Sequence, residues 1–289
     1  MHKFSKPTLI INAASGSTSD ISEEFKTLFK DSVGVEPVCN FIEPDALIGT
    51  IDTALESGAD LLVTFGGDGT SLAAISHATP KNVPVIPLPG GTMNMLPLAL
   101  YKSDIWQDVL ALGLAQAAPR FVPSGDVNGH SFLVAAMIGD VVRLGVMREM
   151  VRDGDVVEAT MNAAQTLRNV IPEDGFKYIC ETSSETLRAD MLQITCPNMS
   201  PFSKKDDAFE VAGVTLESYA ELTALGFTAL LQDWRKDESV VVQFSDTVSV
   251  FSSTEETKKI DVLLDGEHIE IALPLTVNLK SKGALCFCP

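Results

Sequence analysis

The sequence predicts an α/β domain over residues 1–122 followed by a mainly antiparallel β domain over residues 123–289. Three observations carry that division. Short apolar strands alternate with helix-patterned segments as far as Pro119, the signature of a parallel sheet with crossover helices. After Pro119, strand follows strand, separated by turn residues. Polar or glycine-rich loops close the first, third and fourth strands, where open α/β sheets bind their ligands.

The elements follow in order. Thr8 to Ile11 is a short strand running into the polar loop from Asn12 to Ser17. Asp20 or Ser22 caps a helix whose apolar positions are Ile21, Phe25, Leu28 and Phe29. Val35 to Ile42 reads as the second strand and Glu43 to Glu56 as a helix, with Gly58 near its end. Leu61 to Phe65 is a buried third strand, and a helix follows it to about His77. Val83 to Leu88 is the fourth strand, and Ile105 to Ala117 a further helix. Arg120 to Val127 and Ser131 to Ile138 flank the hairpin turn Asn128-Gly129-His130. Helices are expected around 141–152, 156–170 and 217–234. Strands are expected at 176–181, 187–195, 209–214, 240–244, 248–252, 260–264 and 275–279.

Composition narrows the function. The net charge of −18 argues against nucleic acid as a partner and against electrostatic attachment to anionic lipid. No apolar run is long enough to span a membrane, and no signal peptide opens the chain. The five cysteines have no metal-binding spacing, which suits a reduced, cytoplasmic protein. Cys286 and Cys288 read as apolar wall residues. The four histidines form no metal pattern, and His268 reads as incidental.

The chemistry concentrates between Leu61 and Ile75. Gly66-Gly67-Asp68-Gly69-Thr70 lies where a strand ends and a helix begins, so free N–H groups and the helix dipole together can hold an anion. Glycine lets the backbone approach a phosphate closely. An Asp inside such a loop would repel a bare phosphate, but suits one accompanied by a divalent cation. The residues alone therefore point to a metal–nucleotide phosphate site. There is no GxxxxGK[ST] sequence and hence no P-loop lysine.

Four motifs occur in a fixed order: Asn12-x-x-Ser15-Gly16, the Gly66–Thr70 loop, Pro89-Gly90-Gly91-Thr92-Met93-Asn94, and Asp265-Gly266-Glu267. With them, nearly the whole chain resembles the bacterial diacylglycerol kinase catalytic-domain family, soluble lipid kinases related to sphingosine and ceramide kinases. The resemblance implies a Rossmann-like α/β nucleotide domain and a C-terminal β-sandwich. It implies transfer of the ATP γ-phosphoryl group, with Mg²⁺, to the hydroxyl of diacylglycerol or a long-chain base, as in phospholipid metabolism. By matching, Asn12, Ser15, Gly16, Asn40, Gly66, Gly67, Asp68, Gly69, Thr70, Gly90, Gly91, Thr92 and Asn94 would hold the nucleotide. Asp126 would join Asp68 around the metal, and Asp265 and Glu267 would be the catalytic acidic pair, one of them accepting the lipid hydroxyl's proton. A second divalent site would use Asp207 with the carbonyls of Lys204 and Phe209. The lipid would be met at a membrane surface or as a monomer, by a protein in the cytoplasm or peripheral to the inner face of the membrane; homodimerisation stays open.

The chain departs from that pattern at Met95, where many relatives carry a metal-organising Asp, and no Arg follows it. Ser71 replaces a residue that is commonly Asn, and Ala208 one that is usually Gly. Asp68, Asp126 and the Asp265-Gly266 pair also suit plain turns. Two other readings therefore stay open: an NAD kinase-like phosphotransferase, which shares the glycine loop, and a noncatalytic nucleotide- or lipid-binding regulator, to which Met95 points.

Overall fold

The structure, a computed structural model, describes residues 4–14, 20–139, 175–183, 185–200, 207–216, 234–254 and 259–289. The helices expected around 141–170, and that over 217–234 apart from Trp234, lie outside the described residues. So do Ser15, Gly16 and Lys204. The chain forms two compact units, Met1–Ser124 with Lys280–Pro289, and Gly125–Leu279. The sequence reading keeps 280–289 with the second domain; in the structure the last strand carries them back to the first unit.

In the first unit, β1 (Pro7–Asn12), β2 (Val38–Ile42), β3 (Leu61–Gly66) and β4 (Val85–Pro89) form a parallel sheet in the order β2-β1-β3-β4. Every residue of β3 and β4 is buried, which is why both read as near-continuous apolar runs. β2 is the edge strand and is half exposed; it begins at Val38, directly after Pro37, which has no N–H to give a ladder. The crossover helices are α1 (Ser22–Val33), α2 (Leu47–Glu56) and α3 (Asp68–Ala78). Two more, α4 (Met95–Tyr101) and α5 (Trp106–Leu114), follow β4. Phe25 and Phe29 of α1 are fully buried, as their helical spacing requires. Gly34 ends α1 at φ 82° and donates its N–H to the Lys30 carbonyl. The end of β16 (Leu275–Cys286) returns to pair Cys286 with Val85.

The second unit is a sandwich. Its six-stranded antiparallel sheet has the order β12-β11-β10-β7-β14-β15. These strands are β7 (Ala135–Ile138), β10 (Met191–Thr195), β11 (Phe209–Val214), β12 (Val240–Ser245), β14 (Lys259–Leu264) and β15 (Glu267–Ala272). Against it pack β8 (Phe176–Cys180), β9 (Thr186–Ala189), β13 (Thr247–Ser252) and the start of β16. One core joins the two layers: Phe132, Tyr178, Val248, Val250 and Val277 meet Ile138, Leu192, Phe209, Val211 and Val262. The rings of Phe132 and Phe209 stack at 5.8 Å.

β5 (Arg120–Val127) and β6 (His130–Phe132) form the hairpin expected at Asn128-Gly129, with both residues at positive φ. Phe132 fills the space beside Gly125, where a Cβ would lie 1.9 Å from its ring.

Cys180, Cys196, Cys286 and Cys288 are buried, and Cys39 is half-buried. Burial pushes the Cys39 thiol up to about 11 and the Cys180 thiol to about 11, and raises Cys286 further. Native protein at mild alkaline pH is therefore expected to label at Cys39 alone. Its rate should be about a hundredfold below that of an exposed thiol, because only thiolate reacts. Mass spectrometry after timed alkylation checks this; early modification of Cys286 or Cys288 would show the β16 terminus to be undocked.

Candidate functional site

The first unit joins three strand ends. β3 stops at Gly66, and Gly67, with extended backbone, leads directly into α3, whose first N–H groups have no intrahelical acceptor. The sequence thus buries an apolar strand and then leaves its glycines at a helix N-terminus, where backbone donors and the dipole favour an anion. Alongside, β4 delivers Gly90 and Gly91. The Gly90 N–H donates to the Gly66 carbonyl at 3.0 Å, continuing the parallel ladder beyond the strands.

These two loops touch backbone to backbone. A Cβ on Gly90 would lie 2.7 Å from the Gly66 nitrogen, and one on Gly91 would lie 2.5 Å from the Gly67 Cα. A Cβ on Gly66 would meet the Thr70 side chain at 2.7 Å. Glycine is needed here because the two loops must approach closely, and φ stays ordinary.

Side chains fix the rest. The Asn12 amide, at the end of β1, donates to Thr70 Oγ1 at 3.0 Å, and its Oδ1 accepts the Ala14 N–H at 3.2 Å. Asn94, at φ 48°, closes its own loop: Oδ1 accepts the Gly91 N–H at 2.7 Å and Nδ2 donates to the Gly91 carbonyl at 2.9 Å. Thr92 is exposed at the tip. The structure thus brings together Asn12, Gly66, Gly67, Thr70, Gly90, Gly91 and Asn94. Gly69 is exposed in the first turn of α3. Asn40 is placed differently. It lines a groove of about 740 Å³ beside α2 with Lys6, Thr8, Thr50, Thr53 and Ser57, and no glycine-loop residue lines that groove.

Asp68 has a role its sequence position does not reveal. Its two carboxylate oxygens accept the N–H groups of Met95 at 3.1 Å and Leu96 at 3.0 Å. It caps α4 from another helix and ties the two glycine loops together. Asp68→Ala should therefore cost about 1 kcal/mol or more of stability, as loss of an N-cap does. Asp68→Asn, which keeps one acceptor oxygen, should cost less; denaturant melts of the two variants check this ordering.

In the second unit, Asp265 and Gly266 form a two-residue turn between β14 and β15, both at positive φ. The Asp265 carboxylate accepts three backbone N–H groups, from Leu133 at 2.6 Å and from Val134 and Ala135 at 2.9 Å. Its own N–H donates to the Ala135 carbonyl at 3.0 Å. Three of the carboxylate's roughly four acceptor sites thus anchor the hairpin. Glu267, at the first position of β15, is exposed and pairs through its backbone with Leu264, while its side chain has no hydrogen-bond partner among the described residues.

Asp126 is largely buried and accepts the Gly129 N–H at 3.0 Å within its hairpin. His268, read from the sequence as incidental, is held by the buried Asp261 at 2.7 Å from Nε2 to Oδ1. Asp207 is exposed and Phe209 is buried in β11; Lys204, their expected companion, lies outside the described residues.

Asp68 is engaged by two amides, Met95 stands where a further carboxylate would be, and no group of three His, Cys, Asp or Glu side chains among the described residues is placed to hold a metal.

Residues 12–111 match the ATP-NAD kinase N-terminal domain family. No curated protein matches the sequence. Among solved structures, a candidate diacylglycerol kinase from Bacillus anthracis str. Sterne is similar over 100% of this chain and 99% of its own, at 17% identity and TM-score 0.71. A structure described as a diacylglycerol kinase from the same organism is similar over 100% and 98%, at 15% identity and TM-score 0.70. The chain therefore has the two-domain fold of those proteins. No helix among the described residues is long and apolar enough to cross a membrane.

Proposed function

We propose that this protein is a phosphotransferase that passes the ATP γ-phosphoryl group to a lipid hydroxyl. The observation that carries the reading is the interlock of Gly66-Gly67 with Gly90-Gly91 at the N-terminus of α3, braced by Asn12 and Asn94. The Gly90 and Gly91 N–H groups are engaged within the loops, so the donors on offer are those of the first turn of α3 with its helix dipole, and no basic side chain belongs to the cradle. ATP would arrive as its Mg²⁺ complex, since Mg²⁺ is ordinarily held by substrate phosphates and water with few protein ligands.

Phosphoryl transfer asks the protein chiefly for positioning and for a proton acceptor near the attacking oxygen. Of the two acids of the late motif, Glu267 suits that role, because Asp265 already binds three amides. Asp265 is then a positioning residue that holds the hairpin. Asp126, Asp207 and Phe209 enter only through the family resemblance, and Asn40 lies in a separate groove.

A lipid acceptor is favoured over NAD because the likeness to the diacylglycerol kinase structures extends over the whole chain, whereas the NAD kinase-type match ends at residue 111. Purified protein should be given γ-labelled ATP and Mg²⁺ with diacylglycerol, a long-chain base, ceramide or NAD in turn. Labelled lipid is the expected product. Labelled NADP would support the NAD kinase reading, and ATP binding without any product would support the noncatalytic one.

A further inference from the structure

The second unit buries a carboxylate on the face of its six-stranded sheet that turns away from the core. Ile260 and Val262 of β14 point into the sandwich, so alternation turns Asp261 the other way, yet Asp261 is only 3% exposed. A buried carboxylate is costly unless a partner meets it. His268 of β15 supplies one, with its Nε2 at 2.7 Å from Asp261 Oδ1. The bond runs diagonally across the hairpin. β14 and β15 pair Leu263 with His268 and Asp261 with Glu270, so Asp261 and His268 are diagonal neighbours on one face. Glu270, directly opposite Asp261, meets Lys259 at 3.8 Å instead.

β15 needs such a tie. Among the described residues it ends the sheet, so its ladder is bonded on one side. Glu267, His268, Glu270 and Ala272 are exposed, and Ile269 and Ile271 face the core. The three amide bonds of Asp265 fix the turn before Glu267. The bond from His268 to Asp261 fixes the residue after it. Glu267 is therefore held between two clamps, although its own side chain has no hydrogen-bond partner among the described residues.

An imidazole suits the second clamp. It carries its donor on a rigid ring, and Nε2–H can donate to the carboxylate whether or not Nδ1 also holds a proton. A lysine would meet the same carboxylate on a flexible four-carbon stem and leave the strand free to shift. Alternation points Glu267 to the opposite face from His268, so the histidine acts on it only through the backbone.

We propose that His268 is a positioning residue for Glu267: by bonding Asp261 it sets the backbone of the edge strand beside the residue that takes the proton of the acceptor hydroxyl. The proposal rests on the lipid-kinase reading, in which Glu267 has that task.

The test measures transfer from γ-labelled ATP to a water-soluble short-chain diacylglycerol, with the full chain and below the onset of melting. His268→Ala should lower kcat by about tenfold, part of the hundredfold that a displacement of about 1 Å can cost, and leave KM for both substrates within about twofold. His268→Gln, whose side-chain N–H can reach the same carboxylate, should recover most of the loss. In a Glu267→Gln background His268→Ala should cost nothing further, because a residue that acts through another adds nothing once that one is gone. A loss of the same size in both backgrounds, a His268→Gln protein as impaired as His268→Ala, or a His268→Ala protein that fails to fold would each make the pair a matter of stability and overturn the proposal. Equal labelling by wild type and His268→Ala would overturn it while leaving the kinase reading intact. No labelled lipid from the wild type would sink that reading, and the proposal with it.

Discussion

Asp265→Ala is expected to be among the most destabilising single substitutions in the second unit, by about 3 kcal/mol or more. Three N–H groups, on Leu133, Val134 and Ala135, lose their acceptor together, and Leu133 and Val134 are buried. A buried donor left unpaired costs about 1–3 kcal/mol. The backbone adds to this, because Asp265 sits at φ 49°, which Asp tolerates better than Ala. Asp265→Gly relieves the backbone term but not the lost bonds, so it should recover a small part of the loss. Asp265→Asn keeps the turn preference and one acceptor oxygen and should fall between Ala and wild type. Glu267→Gln should leave stability within about 0.5 kcal/mol, as exposed substitutions do. Chemical denaturation of the four variants gives the series. An Asp265→Ala protein as stable as the wild type would mean that the three bonds carry no net weight.

Gly91→Ala is expected to lower nucleotide affinity by about a hundredfold or more, the scale on which a shift of about 1 Å disables a site. The added Cβ would stand 2.5 Å from the Gly67 Cα and 3.3 Å from Asn94 Oδ1. The first obstacle is backbone and cannot rotate away, so the two loops must part. Parting them moves Gly67 from its place before α3 and strains the Gly91–Asn94 bonds that close the second loop. Gly90→Ala should act in the same direction, since its Cβ would lie 2.7 Å from the Gly66 nitrogen. Gly129→Ala is the control, because a Cβ there meets nothing within 4 Å and only the turn's positive φ is strained. Calorimetric titration with ATP checks the set, and wild-type affinity in Gly91→Ala would remove the glycine interlock from the nucleotide site.

The strand–loop–helix around Asp68 is legible in the sequence because each part is local: an apolar run, glycines, then helical spacing. The Asn128-Gly129 hairpin is legible for the same reason. Helix α4 is not, because Met95 to Tyr101 is a short, almost wholly apolar run containing Pro97, which periodicity cannot tell from a strand. β15 carries a period-two signal, with Ile269 and Ile271 toward the core and His268 and Glu270 away, and it follows a hairpin dipeptide, yet the expected strands stop at 264 and resume at 275 because Asp265-Gly266-Glu267 is read there for its acids.

The expected 187–195 strand is broken at Asp190, whose carboxylate accepts the Leu216 N–H and pairs with Arg188. The two anchoring carboxylates were beyond reach for a different reason. Asp68 finds its amides 27 and 28 residues on, and Asp265 finds its own more than 100 residues back, so only the folded chain brings donor and acceptor together.

One comparison tests the central claim most directly: wild type and Glu267→Gln, each with Mg²⁺, γ-labelled ATP and a water-soluble short-chain diacylglycerol, with ATP affinity measured on the same samples. The account predicts labelled phosphatidic acid from the wild type, and from Glu267→Gln an unchanged ATP affinity with product reduced by about a hundredfold or more, the loss expected when a general base is removed. ATP bound by both proteins with no labelled lipid from either would contradict it.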